Sequence, residues 1–198
     1  MIMNKTRKVE KMRSITNKSM KLMQKGFTLV ELLIVVIILA ILAAIVIPQF
    51  SSATTDAQES ALDSNLNALR SAIDLYRVQH NGKYPGQVAA TGATCTVGSA
   101  GTGAINTAQA VIDQLTKFSS ASGTTCSGAD PTTLLGPYLR KGVPADPITN
   151  SAAIAVATAG TPLAPAAATG GWAYDNKTGQ IVMNSNANDS KGAAYSTH

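Results

Sequence analysis

Three hydrophobic patterns follow one another along the chain. The first is an unbroken apolar run. From Phe27 to Ile47 the sequence reads FTLVELLIVVIILAILAAIVI, 21 residues in which only Thr28 and Glu31 are polar. At about 1.5 Å per residue a helix of this length covers roughly 30 Å, the hydrocarbon thickness of a bilayer. The 16 consecutive apolar residues Leu32–Ile47 leave no polar stripe, so a membrane span fits better than a core helix. The second pattern is amphipathic. Leu62, Leu66, Leu69, Ile73 and Tyr76 recur at spacings of four, three, four and three, with Asp63, Arg70, Asp74 and Arg77 off the stripe. That period predicts a helix with one apolar face, stopped near His80 by Asn81-Gly82 and Pro85. The stripe suits a sheet as well as a coiled-coil seam. Pro48 lies between the two patterns; its missing N–H and its ring predict a kink or a locally melted turn.

The third pattern is a series of short pieces. Residues 86–107 are rich in Gly, Ala and Thr and read as loop. Residues 107–118 predict a short helix with Val111, Ile112, Leu115 and Phe118 on one side. Leu134–Leu139 is apolar, and Pro144, Asp146 and Pro147 force a turn. Residues 151–170 read as a further loop. Gly171–Tyr174 and Gln180–Met183 are β-type runs flanking Asp175–Gly179, a hairpin signature. The polar tail after Asn184 reads as loose. The fold class expected is α+β: a long N-terminal helix, half transmembrane and half amphipathic, packed on a small antiparallel sheet. The expected divisions are 1–26, a basic arm; 27–47, the span; 48–80, the amphipathic continuation; and 81–198, a globular head closed by a hairpin.

Charge sharpens this division. The chain has 198 residues, 45% apolar and only 14% charged, with a net charge of +5, which excludes a disordered polar chain. Residues 1–26 hold eight Lys or Arg against Glu10 alone, a balance of +7, whereas residues 27–198 carry −2. A basic arm directly before a span stays cytoplasmic, so the head faces the other side, and no nucleic-acid partner is expected. A secretory signal would have a shorter apolar stretch.

Glu31 is the anomaly. A carboxylate a turn inside an apolar span costs on the order of 3 kcal/mol. Between Lys25 and Arg70 there is no Lys, Arg or His. An α-amine freed at Phe27 by a cut after Gly26 could neutralise Glu31, near the positive end of the helix dipole, as could a neighbouring subunit's amine. The alternative is that Glu31 snorkels to the headgroups.

Cys95 and Cys126 lie beyond the span, on the oxidising side. A bond between them would close a loop of about 32 residues and stabilise by roughly 3–4 kcal/mol; two free buried thiols are the alternative. Catalytic signals are missing from the sequence. His80 and His198 sit at a helix end and at the last position, where solvation is expected. Two Cys without a His cluster make no zinc site. The glycines form no nucleotide fingerprint, and no Ser is marked as a nucleophile. No cofactor, metal site or enzyme activity is expected.

Lys25-Gly26-Phe27-Thr28-Leu29-Val30-Glu31, the apolar run and Pro48 together resemble the class III leader of the type IV pilin superfamily, which includes type IV pilins and the pseudopilins of type II secretion. The resemblance covers roughly residues 20–60, less than a quarter of the chain. It implies that a prepilin peptidase removes residues 1–26, cutting between Gly26 and Phe27 and methylating the new amine to give N-methylphenylalanine. It implies that Glu31 sets subunit register by pairing with a neighbour's N-terminus, and that Pro48 lies where helix melts on assembly. The mature chain would have 172 residues. A start at Met20 in place of Met1 would leave only MKLMQKG as leader.

Lys83–Pro85, Gly136–Leu139, Pro144–Pro147 and a hairpin with Trp172 and Tyr174 resemble pseudopilin heads. The major pseudopilins' calcium loop needs clustered acids, whereas Asp175 and Asp189 are isolated here. The resemblance thus implies a structural filament subunit, foremost a pseudopilin of type II secretion, alternatively a type IV pilin for adhesion, twitching motility or DNA uptake. A non-polymerising anchored head is a lower alternative. The implied partners are further copies, minor pilins or pseudopilins, the prepilin peptidase, and an inner-membrane platform protein with its cytoplasmic ATPase. The implied location is the bacterial inner membrane, single-pass with a cytoplasmic N-terminus and a periplasmic head, followed by the pseudopilus or the cell surface.

Overall fold

The computed structural model describes residues 26–161 and 163–198, and of Pro48 the backbone alone. The basic arm up to Lys25 lies outside these residues. The chain separates into two compact units, one ending at Pro48 and one spanning Gln49–His198. Helix α1 (Leu29–Gln79) begins in the first and ends in the second. Position 48 is helical within α1, so the turn is not melted in the single chain.

In the first unit, all described residues from Gly26 to Ile47 are exposed. An 18-residue window here has a mean hydropathy of 3.4 and nothing covering it. Among the described residues this is the one helix long and apolar enough to cross a membrane.

In the second unit, the predicted stripe of α1 forms the core. Leu62, Leu66, Leu69, Ile73 and Tyr76 are each at most 1% exposed, and each such side chain contributes about 1.5–3 kcal/mol relative to exposure. The stop signals act as expected. Asn81 and Gly82 take left-handed φ values of 55° and 81°. The Gly82 N–H returns to the Arg77 carbonyl at 2.9 Å, which satisfies a terminal carbonyl of the helix.

Helix α2 (Ala108–Thr116) is capped by Thr107, whose hydroxyl accepts from the Ala110 N–H at 3.2 Å. It buries Val111 and Leu115, while Phe118 leaves the helix for β1. Strands β1 (Phe118–Ser119) and β2 (Thr125–Cys126) pair antiparallel.

The larger sheet has the order β3 (Ile154–Ala157), β4 (Trp172–Asp175), β5 (Ile181–Met183). β4 and β5 form the expected hairpin, with Trp172 opposite Met183 and Tyr174 opposite Ile181. β3 is the unexpected strand. It lies in the stretch read as loop and pairs parallel with β4, so the sheet is mixed. A parallel pair needs a crossover of about a dozen residues, and the Ala/Thr/Pro-rich segment 158–171 supplies it.

Much of this unit is loop, and buried aspartates organise it. Asp113, Asp130, Asp146 and Asp175 are each at most 2% exposed. Asp113 takes the N–H groups of Thr102 and Gly103 and an ion pair with Lys117 at 2.8 Å. Asp130 ties down Thr96 and Thr132 through their N–H groups and hydroxyls. Asp175 accepts from Gly160, Lys177 and Thr178 N–H groups. Burial raises the pKa of Asp113 and Asp175, but these donors outweigh it and hold both below the usual carboxylate range. In Asp130 the Thr96 hydroxyl is the largest cause of a deeper depression.

The tail is docked, contrary to expectation. Tyr195 in a closing 3₁₀ turn (Tyr195–Thr197) is 7% exposed and belongs to the core. Glu59 on α1 accepts from the Ser190 N–H and hydroxyl, both at 2.7 Å. Arg70 donates to the His198 carbonyl at 2.6 Å. The His198 ring lies 2.8 Å from Asp63 and 3.3 Å from Asp189. Polar composition suggests a solvated tail; its partners Glu59, Asp63 and Arg70 sit far away in sequence, on α1.

Candidate functional site: the N-terminal junction and its helix

Gly26 and Phe27 precede the first turn of α1 in non-helical conformation. Phe27 is 77% exposed. Among the described residues nothing comes within 4 Å of a Cβ built on Gly26.

Glu31 does have a local partner. Its Oε2 accepts from the Thr28 N–H at 2.9 Å and from the Thr28 hydroxyl at 2.8 Å, while the Glu31 N–H donates back to Thr28 Oγ1 at 3.2 Å. This is a reciprocal capping box, Thr28 as cap and Glu31 as the third helical residue. The Thr-x-x-Glu spacing was readable in the sequence. It satisfies two donors at the helix start and fixes the carboxylate's orientation, but adds no positive charge. Glu31 Oε1 has no hydrogen-bond partner among the described residues.

Beyond this junction the helix presents apolar side chains on every side. Leu32, Leu33, Ile34, Ile37, Ile38 and Ile41 are all 50–58% exposed. Solvent water cannot stabilise such a surface; lipid or further apolar helices can.

The other sequence candidates lie in the second unit. Cys95 and Cys126 are joined, with a Cα–Cα distance of 5.8 Å and a separation of 31 residues. The bond ties the loop after α1 to β2, where Cys126 is fully buried. His80 is not solvated: it is 1% exposed and stacks on Tyr76 with centroids 3.7 Å apart. Its Nδ1–H donates to the Tyr76 carbonyl at 2.8 Å, which leaves Nε2 to accept from the Ser119 hydroxyl at 3.0 Å. Burial depresses its pKa, outweighing the Tyr76 carbonyl. Ser119 is 0% exposed, so this Ser–His pair has no access for a substrate; it fastens the end of α1 to β1. No group of three or more metal-ligating side chains occurs among the described residues.

Comparison with known proteins returns to the junction. Residues 21–47 match the prokaryotic N-terminal methylation motif. The chain is 42% identical over 62 residues to the type II secretion system core protein G of Pseudomonas aeruginosa, covering 31% of this chain and 43% of that protein. It is 39% identical over 62 residues to the protein of the same name from Klebsiella pneumoniae, 31% and 44% of the two chains. It is 51% identical over 55 residues to the type IV major fimbrial protein FimA of Dichelobacter nodosus, 28% and 35% of the two chains. The alignments thus span less than half the length of these relatives. No solved structure matches the chain significantly.

Proposed function

We propose that this chain is a structural subunit of a type IV pilus-like filament, built through its N-terminal helix, and that the filament is a pseudopilus of type II protein secretion. The observation that carries the reading is the helix from Leu29 to Ile47, exposed at every position and headed by Glu31 with one carboxylate oxygen open. The methylation motif over residues 21–47 supports processing at Gly26–Phe27. A methylated amine at Phe27 of one copy pairs with Glu31 Oε1 of the next, setting the register. Before assembly the helix crosses the inner membrane once, with the basic arm cytoplasmic and the head periplasmic.

On extraction the apolar helices exchange lipid for one another, so apolar burial is retained. A head-to-tail contact that does not close gives an open helical filament. The work of extraction comes from a cytoplasmic ATPase acting through a membrane platform protein; minor subunits and the prepilin peptidase complete the partner set. The chain's part is structural rather than enzymatic.

A second reading, a surface pilus, draws on the 51% identity to a fimbrial protein over the N-terminal segment. Gene deletion separates the two: loss of exoprotein release with sheared surface filaments intact supports the pseudopilus, and the reverse supports the pilus. Either form requires Glu31. Glu31→Ala is expected to abolish incorporation into filaments while the head still forms its Cys95–Cys126 bond. Normal incorporation of that variant would contradict the pairing of Glu31 with a neighbour's amine, and absence of the parent chain from filaments would leave an anchored, non-polymerising head as the better account.

A further inference from the structure

The second unit has an excess of unpaired cationic side chains at its surface. It holds eight Lys or Arg against nine Asp or Glu, yet Asp113, Asp130, Asp146 and Asp175 are buried in loop hydrogen bonds. Among the described residues Lys117 alone of the Lys and Arg side chains is ion-paired. Lys83 and Lys177 stand over one cleft of about 410 Å³, together with Gln87, Asn106, Thr158 and Asn176. No carboxylate lines it.

The backbone fixes which ends of the three amides face the cleft. Gln87 Oε1 accepts the Tyr84 N–H at 3.2 Å, so its NH₂ is left over. Asn176 Nδ2 donates to the Gly86 carbonyl at 3.2 Å, so that atom is a nitrogen. Its second hydrogen goes to Asn106 at 2.7 Å, which makes the receiving atom Oδ1 and leaves the Asn106 NH₂ free. Asn106 itself is held in the left-handed region, φ 63°. The Lys83 and Lys177 ammoniums and the Thr158 hydroxyl have no hydrogen-bond partner among the described residues. The nearest acid in sequence, Asp175, is turned inward onto the Gly160, Lys177 and Thr178 N–H groups. The cleft is thus rich in donors, the two ammoniums and the free NH₂ groups of Gln87 and Asn106, beside the Thr158 hydroxyl, which can donate or accept.

We propose that this cleft binds a phosphate group, its oxygens taking the Lys83 and Lys177 ammoniums and the amides of Gln87 and Asn106. Two ammoniums lining one cleft with unpartnered amide donors and no carboxylate suit an oxyanion. The site is independent of the filament reading, since none of its residues belongs to the N-terminal helix.

The test uses the full chain in detergent micelles, titrated with inorganic phosphate. The side-chain NH₂ resonances of Gln87 and Asn106 are expected to shift saturably, and the affinity to fall with salt. Lys83→Met with Lys177→Met should weaken binding at least tenfold with an unchanged near-ultraviolet circular dichroism spectrum. Asn106→Gly, which keeps the left-handed backbone, should weaken it severalfold. Lys191→Met, a lysine away from the cleft, should change nothing. Linear, unsaturable shifts, or equal weakening by Lys191→Met, would overturn the site. Glucose 1-phosphate distinguishes the source: tighter binding than inorganic phosphate assigns the cleft to a sugar phosphate, and weaker binding to the free ion.

Discussion

Asp146 offers the sharpest test of how so loop-rich a head holds together. The residue is fully buried. Its Oδ1 accepts from the Ile148 and Thr149 N–H groups at 3.0 and 2.6 Å, and its Oδ2 from the Thr149 hydroxyl and the Ser151 and Gly171 N–H groups at 2.5, 3.2 and 2.8 Å. Asp146→Asn keeps the volume but turns one oxygen into an NH₂. Whichever way the amide is set, at least two donors lose their acceptor and face another donor. Hydrogen bonds to a charged group are worth about 1.5–3 kcal/mol each, and stranded buried donors cost about as much. Partial relaxation brings the expected loss to about 3–4 kcal/mol, or roughly 10 °C in Tm for a domain of this size.

The assay is thermal unfolding followed by the emission of Trp172, the single Trp of the chain. Its Nε1–H donates to the Pro144 carbonyl at 2.8 Å, so it reports on this loop. Burial raises the Asp146 pKa, but Thr149, Gly171 and Ser151 outweigh it and hold the group below its ordinary 3.8. A depressed carboxylate stabilises fully above 3.8, and its contribution is lost as pH falls through the folded value. The gap between parent and variant should therefore close in acid. A variant melting within about 2 °C of the parent at neutral pH would refute the hub role.

Other predictions follow from the same geometry. Replacing Cys95 and Cys126 by Ser reopens a 31-residue separation and should cost about 3–4 kcal/mol, read as a lower denaturation midpoint that reductant reproduces in the parent. Stability should be flat from about pH 6.5 to pH 10 and fall on both sides. On the acid side, His80 is depressed by burial from 6.5, so the unfolded chain takes up its proton first and stability is lost as pH falls below 6.5. On the alkaline side, burial raises Tyr76 and Tyr174 well above 10.0, so the unfolded chain ionises first and stability is lost above pH 10. His80→Gln should remove the acid shoulder near pH 6 in a urea series and leave the carboxylate limb below it.

The exposed apolar helix, the amphipathic stripe of α1, its stop at Asn81-Gly82, α2 and the β4–β5 hairpin were legible because each is a local pattern. Periodicity or turn chemistry within a few residues decides them. β3 was not legible, since Ile154–Ala157 is four residues in an Ala-rich stretch and pairs with a strand beyond a long crossover. The docked tail was hidden for a related reason. Ser190 and His198 meet Glu59 and Asp63, 131 and 135 residues earlier in the chain, and a polar tail looks the same whether its partners are water or a helix. His80 was misjudged because its neighbour Ser119 comes from β1. At the N-terminal junction the sequence shows both that Glu31 has no cation nearby and, in the four residues Thr28–Glu31, the spacing of a capping box.

The central claim is that the chain works as a processed, polymerising subunit. Its most direct test is the intact mass of the protein extracted from native membranes. The account predicts the mass of Phe27–His198 plus one methyl group, less two hydrogens for the Cys95–Cys126 bond. A mass that retains residues 1–26 would contradict it and leave a permanently anchored head.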